Sequence, residues 1–460
     1  MKMPTRGTAK AELVARMEQY RGADGDAAGS RLFSLVYGTR PDVMEVAKDA
    51  YLRFFSENAL NPMTFPSLRK FESEVLAMTQ DLFHAPEGAA GTMSSGGTES
   101  LLLAVKTARD WARAERPDVK EPEILLPVTA HPALHKAAHM VGVKPVVVPM
   151  RADFTADVDA AKALFSDRTI LVVASAPQYP HGVMDPVSEL AALASSRGVL
   201  CHVDACIGGF LLPWVEKLGH EVPPWDFRVP GVTSISADLH KYGYAAKGAS
   251  TILYRTHALR RHQYFVHADW PGGLFGSPSV LGTRPGGAIA AAWAVMTYLG
   301  EEGYLDLARR AMSATGKIMR GVAETPGLEI LGKPVMACIA IGSDPKAAPG
   351  ATGKGVDLYV LGDRLQARGW RLDRGQNPPS LHLTISPAHD ALADELVADL
   401  RACTKDVLES GAQAEGAAAM YGMLGQLPDR SVVREALLDF MDGIEAMADA
   451  SVAEAAARKP

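Results

Sequence analysis

The chain has 460 residues, 47% of them apolar, so it is longer than one average domain and can bury a large core. Its 47 Lys and Arg against 53 Asp and Glu leave a net charge of −6, which argues against nucleic acid as a partner, because a phosphate-backbone binder carries a concentrated basic surplus. Cys201, Cys206, Cys338 and Cys403 are too scattered for a disulfide framework or a Cys-x-x-Cys zinc site, which fits a reducing compartment and predicts no metal centre.

Met1 to Tyr20 alternates charged and apolar residues, unlike the apolar core of a signal peptide, and no stretch approaches the roughly 20 apolar residues that span a bilayer. The expectation is a cytoplasmic protein without a transmembrane segment. Apolar, β-branched runs then follow at Ile124 to Val128, Val146 to Pro149, Ile170 to Ala174, Val199 to Asp204, Val232 to Ile235 and Ser250 to Tyr254, separated by stretches of helical periodicity. Continuous apolar runs with helical crossovers predict an α/β fold with a mostly parallel sheet. From about residue 305 the texture changes to a helical Tyr304 to Glu324, short runs at Val335 to Ile341 and Leu381 to Ile385, and an exposed Gly/Pro-rich loop from Pro345 to Gly355. This predicts three parts: an N-terminal segment (1–60), a large domain (61–305) and a smaller C-terminal α+β domain (306–460). The end, Ala446 to Pro460, reads equally as a docked helix or a frayed tail.

Several positions carry chemistry. Ser94-Ser95-Gly96-Gly97-Thr98-Glu99-Ser100 is a glycine turn feeding a helix, either a cradle for a phosphate on unpaired N–H groups or an ordinary helix cap. His131 follows a strand run and is either a ring-stacking residue or a satisfied structural histidine. Asp204 ends another apolar run; a buried carboxylate there either meets a cation or caps the next turn. Cys206 is a reactive thiol or, more simply, fills space against a flat ring. Trp214, Trp225 and Phe227 read as core and lid packing. Lys241 stands beside His240 just after the run Val232 to Ile235, where a chain can hold an amine for Schiff-base chemistry, and Lys247 is either a solvated loop lysine or a second phosphate contact. A lysine, a carboxylate for a pyridine nitrogen and a phosphate cradle are the parts pyridoxal phosphate requires.

With these pieces in place the chain resembles the sphingosine-1-phosphate lyases, within the fold-type I, group II decarboxylase-like enzymes that use pyridoxal phosphate. The resemblance runs from roughly residue 30 to residue 440. It is carried by Phe65-Pro66-Ser67-Leu68-Arg69-Lys70, Ser95 to Ser100, Ala176-Pro177-Gln178-Tyr179-Pro180-His181-Gly182, and His202 to Phe210. It continues through Ser234 to Gly248, Gly282-Thr283-Arg284-Pro285-Gly286-Gly287, Pro378-Pro379-Ser380-Leu381-His382 and Tyr421-Gly422-Met423. It implies Lys241 as the Schiff-base lysine, Asp204 on the pyridine nitrogen, His131 stacked on the ring, and Gly97, Thr98 and His240 on the cofactor phosphate, with Cys206 and Gly282 also against the cofactor. Tyr37, Asn58, Asn61 and Lys247 are implied at the substrate. A homodimer is implied too, each active site borrowing residues from the partner, with Gly276 to Arg284 as the donated loop.

One departure stands out: the family typically reads Asn-x-Leu-His-Pro-Asp-x-Phe-Pro where this chain has Asn58-Ala59-Leu60-Asn61-Pro62-Met63-Thr64-Phe65-Pro66. Asn61 cannot carry charge or exchange protons as a histidine does. The membrane-spanning segment of eukaryotic members is also absent from the sequence. The implied reaction is retro-aldol cleavage of a phosphorylated sphingoid base to a long-chain aldehyde and phosphoethanolamine. An amino-acid decarboxylase, which uses the same lysine, aspartate and histidine, is the alternative, and a cofactor-binding protein without catalysis is a third reading that the intact Lys241, Asp204 and Lys247 argue against.

Overall fold

Short apolar runs between amphipathic helices assemble into a seven-stranded sheet of order β1-β7-β6-β5-β4-β2-β3. The strands are β1 (Ala90–Ser94), β2 (Glu123–Pro127), β3 (Lys144–Val148), β4 (Thr169–Ser175), β5 (Leu200–Asp204), β6 (Ser234–Ala237) and β7 (Ser250–Tyr254). The computed structural model describes residues 3–22, 24, 30–411, 427 and 429–457, which leaves Tyr421-Gly422-Met423 and residues 458–460 outside the described residues.

Strands β6, β5, β4, β2 and β3 run parallel, and β7 is antiparallel to both β6 and β1. Along β2, Leu125 joins one apolar cluster while Ile124 and Leu126 join another; along β4, Val172 and Ala174 split from Leu171 and Val173 in the same way. Successive side chains of a strand face opposite sides, so both faces of the sheet are buried, as a parallel sheet requires. The expected α/β class with a mostly parallel sheet is what forms. Strand β1 has no counterpart in the sequence reading, because Ala-Gly-Thr-Met-Ser lacks a β-branched run; its pairing with β7 recruits it. Strand β6 starts two residues later than expected, since Val232 bonds back to Val229 in a turn and pairing begins at Ser234 opposite His202. Trp214, Trp225 and Phe227 are buried in the core.

A second, antiparallel sheet follows in the order β10-β11-β13-β12, from β10 (Leu328–Ile330), β11 (Cys338–Ser343), β12 (Asp373–Gln376) and β13 (Pro379–Thr384). In chain order the exposed hairpin of β8 (Phe265–Trp270) and β9 (Gly273–Ser277) and the long helix Gly286–Ala323 come between the strands of the two sheets. That helix contains the expected helical stretch from Tyr304 and is kinked at Gly300, whose φ of 52° is open to glycine at little cost. The C-terminal helix Arg430–Ala457 covers most of the segment read as helix or tail. Among the described residues no helix is long and apolar enough to cross a membrane.

Buried titratable groups tie stability to pH. Burial pushes His382 down to about 4, against the opposing pull of Asp373. The unfolded chain therefore binds a proton below about pH 6.5 that the folded chain refuses, and stability is lost as pH falls from there toward 4. Asp185, pushed up to about 7 by burial, acts in the opposite sense, so the informative comparison is variant against parent. His382→Gln should lose less melting temperature than the parent between pH 6.5 and 5, by roughly 3 °C, in thermal unfolding followed by circular dichroism.

Candidate active site

Because β2, β4, β5 and β6 run parallel, residues at or just beyond their carboxyl ends collect on one edge of the sheet: His131, Ser175, Asp204 and Asp238. They line a cavity of about 550 Å³ together with Ser95, Gly96, Gly97, Thr98, Glu99, Cys206, His240, Lys241, Lys247, Tyr37, Leu35, Tyr179 and Thr384.

Each side chain is placed by a local reason. The helix Gly97–Glu115 opens at the cavity, so its first N–H groups face it, and Glu99 closes the turn by accepting from the Ser95 N–H at 2.7 Å. Gly97 is required by close approach: a Cβ there would stand 2.8 Å from Asp238 Oδ2 and 3.0 Å from Cys206 Sγ. His131 is the N-cap of the helix Pro132–Val141, its Nδ1 accepting from the Ala133 N–H at 3.1 Å, which leaves the ring proton on Nε2. Burial pushes its pKa down, which keeps the ring neutral. Asp204 is 7% exposed, and its Oδ1 accepts from the Cys206 N–H at 3.0 Å and the Ser236 hydroxyl at 3.5 Å.

Asp238 and Lys241 form the electrostatic centre. Lys241 Nζ lies 3.0 Å from Asp238 Oδ2, with side chains 23% and 2% exposed. Burial pushes the lysine pKa down, but the Asp238 carboxylate beside it leaves it raised. Lys247 Nζ donates to the Leu35 carbonyl at 2.8 Å and the His240 carbonyl at 3.3 Å, and lies 5.2 Å from the centre of the Tyr37 ring. Burial and then the like charge of Lys241 push its pKa down.

The donor set fits pyridoxal phosphate. Asp204 is a buried carboxylate that no cation pairs among the described residues, the state a protonated pyridine nitrogen relieves. The glycine turn and helix start offer N–H groups to a phosphate, His240 stands beside them, and Lys241 supplies the amine.

Lys241, Asp204, His131, Lys247, Tyr37, Gly97, Thr98, Cys206 and His240 thus share one cavity. Asn58, Asn61 and Gly282 do not line it. Asn58 Oδ1 accepts from the Leu60 N–H and Asn61 Oδ1 from the Met63 N–H, so both asparagines fold a local turn. That turn is tied to the loop before the long helix, through Ala59 N–H to the Arg284 carbonyl and Gly286 N–H to the Glu57 carbonyl, both at 2.9 Å. Gly282 packs beside Leu60 in the same unit. Sequence reasoning missed Asp238, Tyr179 and Thr384; the signal for Asp238 was its place three residues before Lys241, one turn of chain away.

Residues 33–341 match the model of the pyridoxal-dependent decarboxylase conserved domain. Over 399 residues the chain is 43% identical to a protein of Oryza sativa subsp. japonica named sphingosine-1-phosphate lyase, covering 85% of this chain and 72% of that one. It is 32% identical over 392 residues to a Pyrococcus furiosus protein named probable L-aspartate decarboxylase, covering 85% and 100%. The solved structure of a Burkholderia pseudomallei K96243 sphingosine-1-phosphate lyase superposes with a TM-score of 0.82 at 37% identity, covering 88% of this chain and 92% of that one.

Proposed function

The chain belongs to the pyridoxal-dependent decarboxylase family and, within it, to the sphingosine-1-phosphate lyases, and on that premise we propose that it cleaves the C2–C3 bond of sphingosine-1-phosphate-like bases. The products are a long-chain aldehyde and phosphoethanolamine. The observation that carries this reading is the higher identity to the lyase relative than to the decarboxylase relative over spans of similar length.

Bound in the cavity, pyridoxal phosphate supplies the carbonyl that captures the substrate amine and a ring that takes up the electron pair released when the C2–C3 bond breaks. The chain's residues do the rest. Asp204 holds a negative charge where the ring nitrogen must stay protonated, an effect strongest in a site that excludes water. His131, neutral and fixed by the Ala133 N–H, presents a flat face for stacking. Gly97, Thr98 and His240 would hold the cofactor phosphate, Cys206 would pack against the ring, and Lys241 would tether the cofactor by its amine.

Lys247 and Tyr37 receive the substrate phosphate at the mouth: the ammonium is held only by carbonyl oxygens in the described contacts, leaving its charge for an anion. Lys247→Ala should raise KM for sphingosine-1-phosphate about ten-fold or more, the value of one charge-assisted hydrogen bond, while the visible absorbance of the bound cofactor is unchanged.

The same reading makes the protein a homodimer. Asn58, Asn61 and Gly282, gathered in one surface unit away from their own cavity, serve the partner's site, with Asn61 a tolerated change. Residues 1–60 then serve the dimer and the site, 61–305 bind the cofactor, and 306–460 form the small domain. Four free, buried cysteines favour the cytoplasm.

The test is to incubate cofactor-loaded protein with sphingosine-1-phosphate and, separately, with a panel of amino acids. Long-chain aldehyde with no carbon dioxide is the expected result; carbon dioxide without aldehyde would replace the lyase by a decarboxylase.

A further inference from the structure

We propose that Asp238 is the counter-ion of the free Lys241 amine, the carboxylate that keeps the amine charged and seated in the cavity whenever it is not bonded to the cofactor. This rests on Lys241 being the cofactor lysine. The geometry comes from a tight turn beyond β6: the Asp238 N–H donates to the Cys206 carbonyl, and the Lys241 N–H donates back to the Asp238 carbonyl, both at 3.2 Å. The two side chains emerge on the same side and meet at 3.0 Å.

Three further observations bind the pair together. The carboxylate is 2% exposed, and its Oδ1 is buried without a hydrogen-bond partner, so Lys241 carries most of its compensation. A buried carboxylate without a cation is strongly unfavourable. The other basic side chain in the described contacts of Asp238 is His240, whose Nε2 stands farther off at 3.7 Å and whose pKa burial pushes down. Gly97 has room for no side chain because Asp238 occupies the space one would fill, so the cofactor cradle is shaped around this carboxylate.

Asp238 and Lys241 also respond to each other in sign. Burial raises the Asp238 pKa, yet Lys241 and then His240 bring it below the ordinary carboxylate value. Tyr37 and Cys206 face the amine as well, and His131, Lys247 and Cys338 feel its charge from the surrounding elements. Tyr37, Cys206 and Cys338 are neutral at physiological pH, because burial raises all three. That leaves Asp238 as the negative charge in direct contact with the amine.

Reductive methylation of the full chain stripped of cofactor tests the proposal. Modification of Lys241 is followed by peptide mass spectrometry from pH 7 to 11, in the parent, Asp238→Asn and Asp238→Glu. Because only the uncharged amine reacts, Asp238→Asn should methylate Lys241 at least about ten-fold faster than the parent at pH 9, the effect of one pKa unit. Asp238→Glu, which keeps the charge, should stay within a few-fold of the parent and guards against a fold effect, with circular dichroism as a further check. Equal Lys241 rates in parent and Asp238→Asn across the range would overturn the proposal. No substrate enters this measurement, so it stands apart from the aldehyde assay, and loss of cofactor binding by Lys241→Ala tests the lysine's role separately.

Discussion

Lys241→Ala should release no measurable aldehyde from sphingosine-1-phosphate and should lose the visible absorbance of the covalently held cofactor. The variant removes an amine that lines the cavity 3.0 Å from Asp238, and Lys247, the other lysine lining it, has its Nζ on the Leu35 and His240 carbonyls instead. It forfeits the covalent tether through which the cofactor is held and handed to the substrate. Stopped assays of aldehyde alongside absorbance spectra follow turnover and cofactor attachment separately. Turnover within ten-fold of the parent would remove Lys241 from the chemistry and with it the whole assignment of the cavity.

Asp204→Asn should keep the fold and the bound cofactor while turnover falls about 10² to 10³-fold, the scale of one preorganised electrostatic contact in a closed site. The amide has the same shape and still accepts from the Cys206 N–H and the Ser236 hydroxyl, so the end of β5 is left intact. What it lacks is the negative charge that holds a ring nitrogen protonated. A fall in kcat with little change in KM, measured on protein of equal cofactor content, is the expected pattern. A change confined to KM would make Asp204 a binding residue instead.

The sequence made the architecture readable where burial was continuous. Strands β2, β4, β5 and β7 announced themselves as apolar runs because both faces of their sheet are covered. Strand β1 did not, since its Ala-Gly-Thr-Met-Ser is held by pairing with β7 rather than by any preference of its own. Residues at the ends of buried runs, Asp204 above all, were legible because a charge there demands a partner. Asp238 was overlooked: its spacing of three residues from Lys241 was the available signal, but the turn beyond β6 is what brings it onto the amine. Asn58, Asn61 and Gly282 show a different limit. Resemblance marked them as site residues, whereas the fold gathers them into a separate surface unit, a relation that no local pattern encodes.

Glu99 reaches further than its role in closing the glycine turn. While Oε2 holds Ser95, its Oε1 accepts from the N–H groups of Val280 and Leu281 at 2.7 and 3.1 Å, so one buried carboxylate grips both the floor of the cofactor cradle and the loop that carries Gly282. The two parts cannot order independently. The order of the glycine turn and the order of that loop are therefore coupled through one side chain, and a change in the loop at Val280 or Leu281 is felt in the cradle although neither residue lines the cavity.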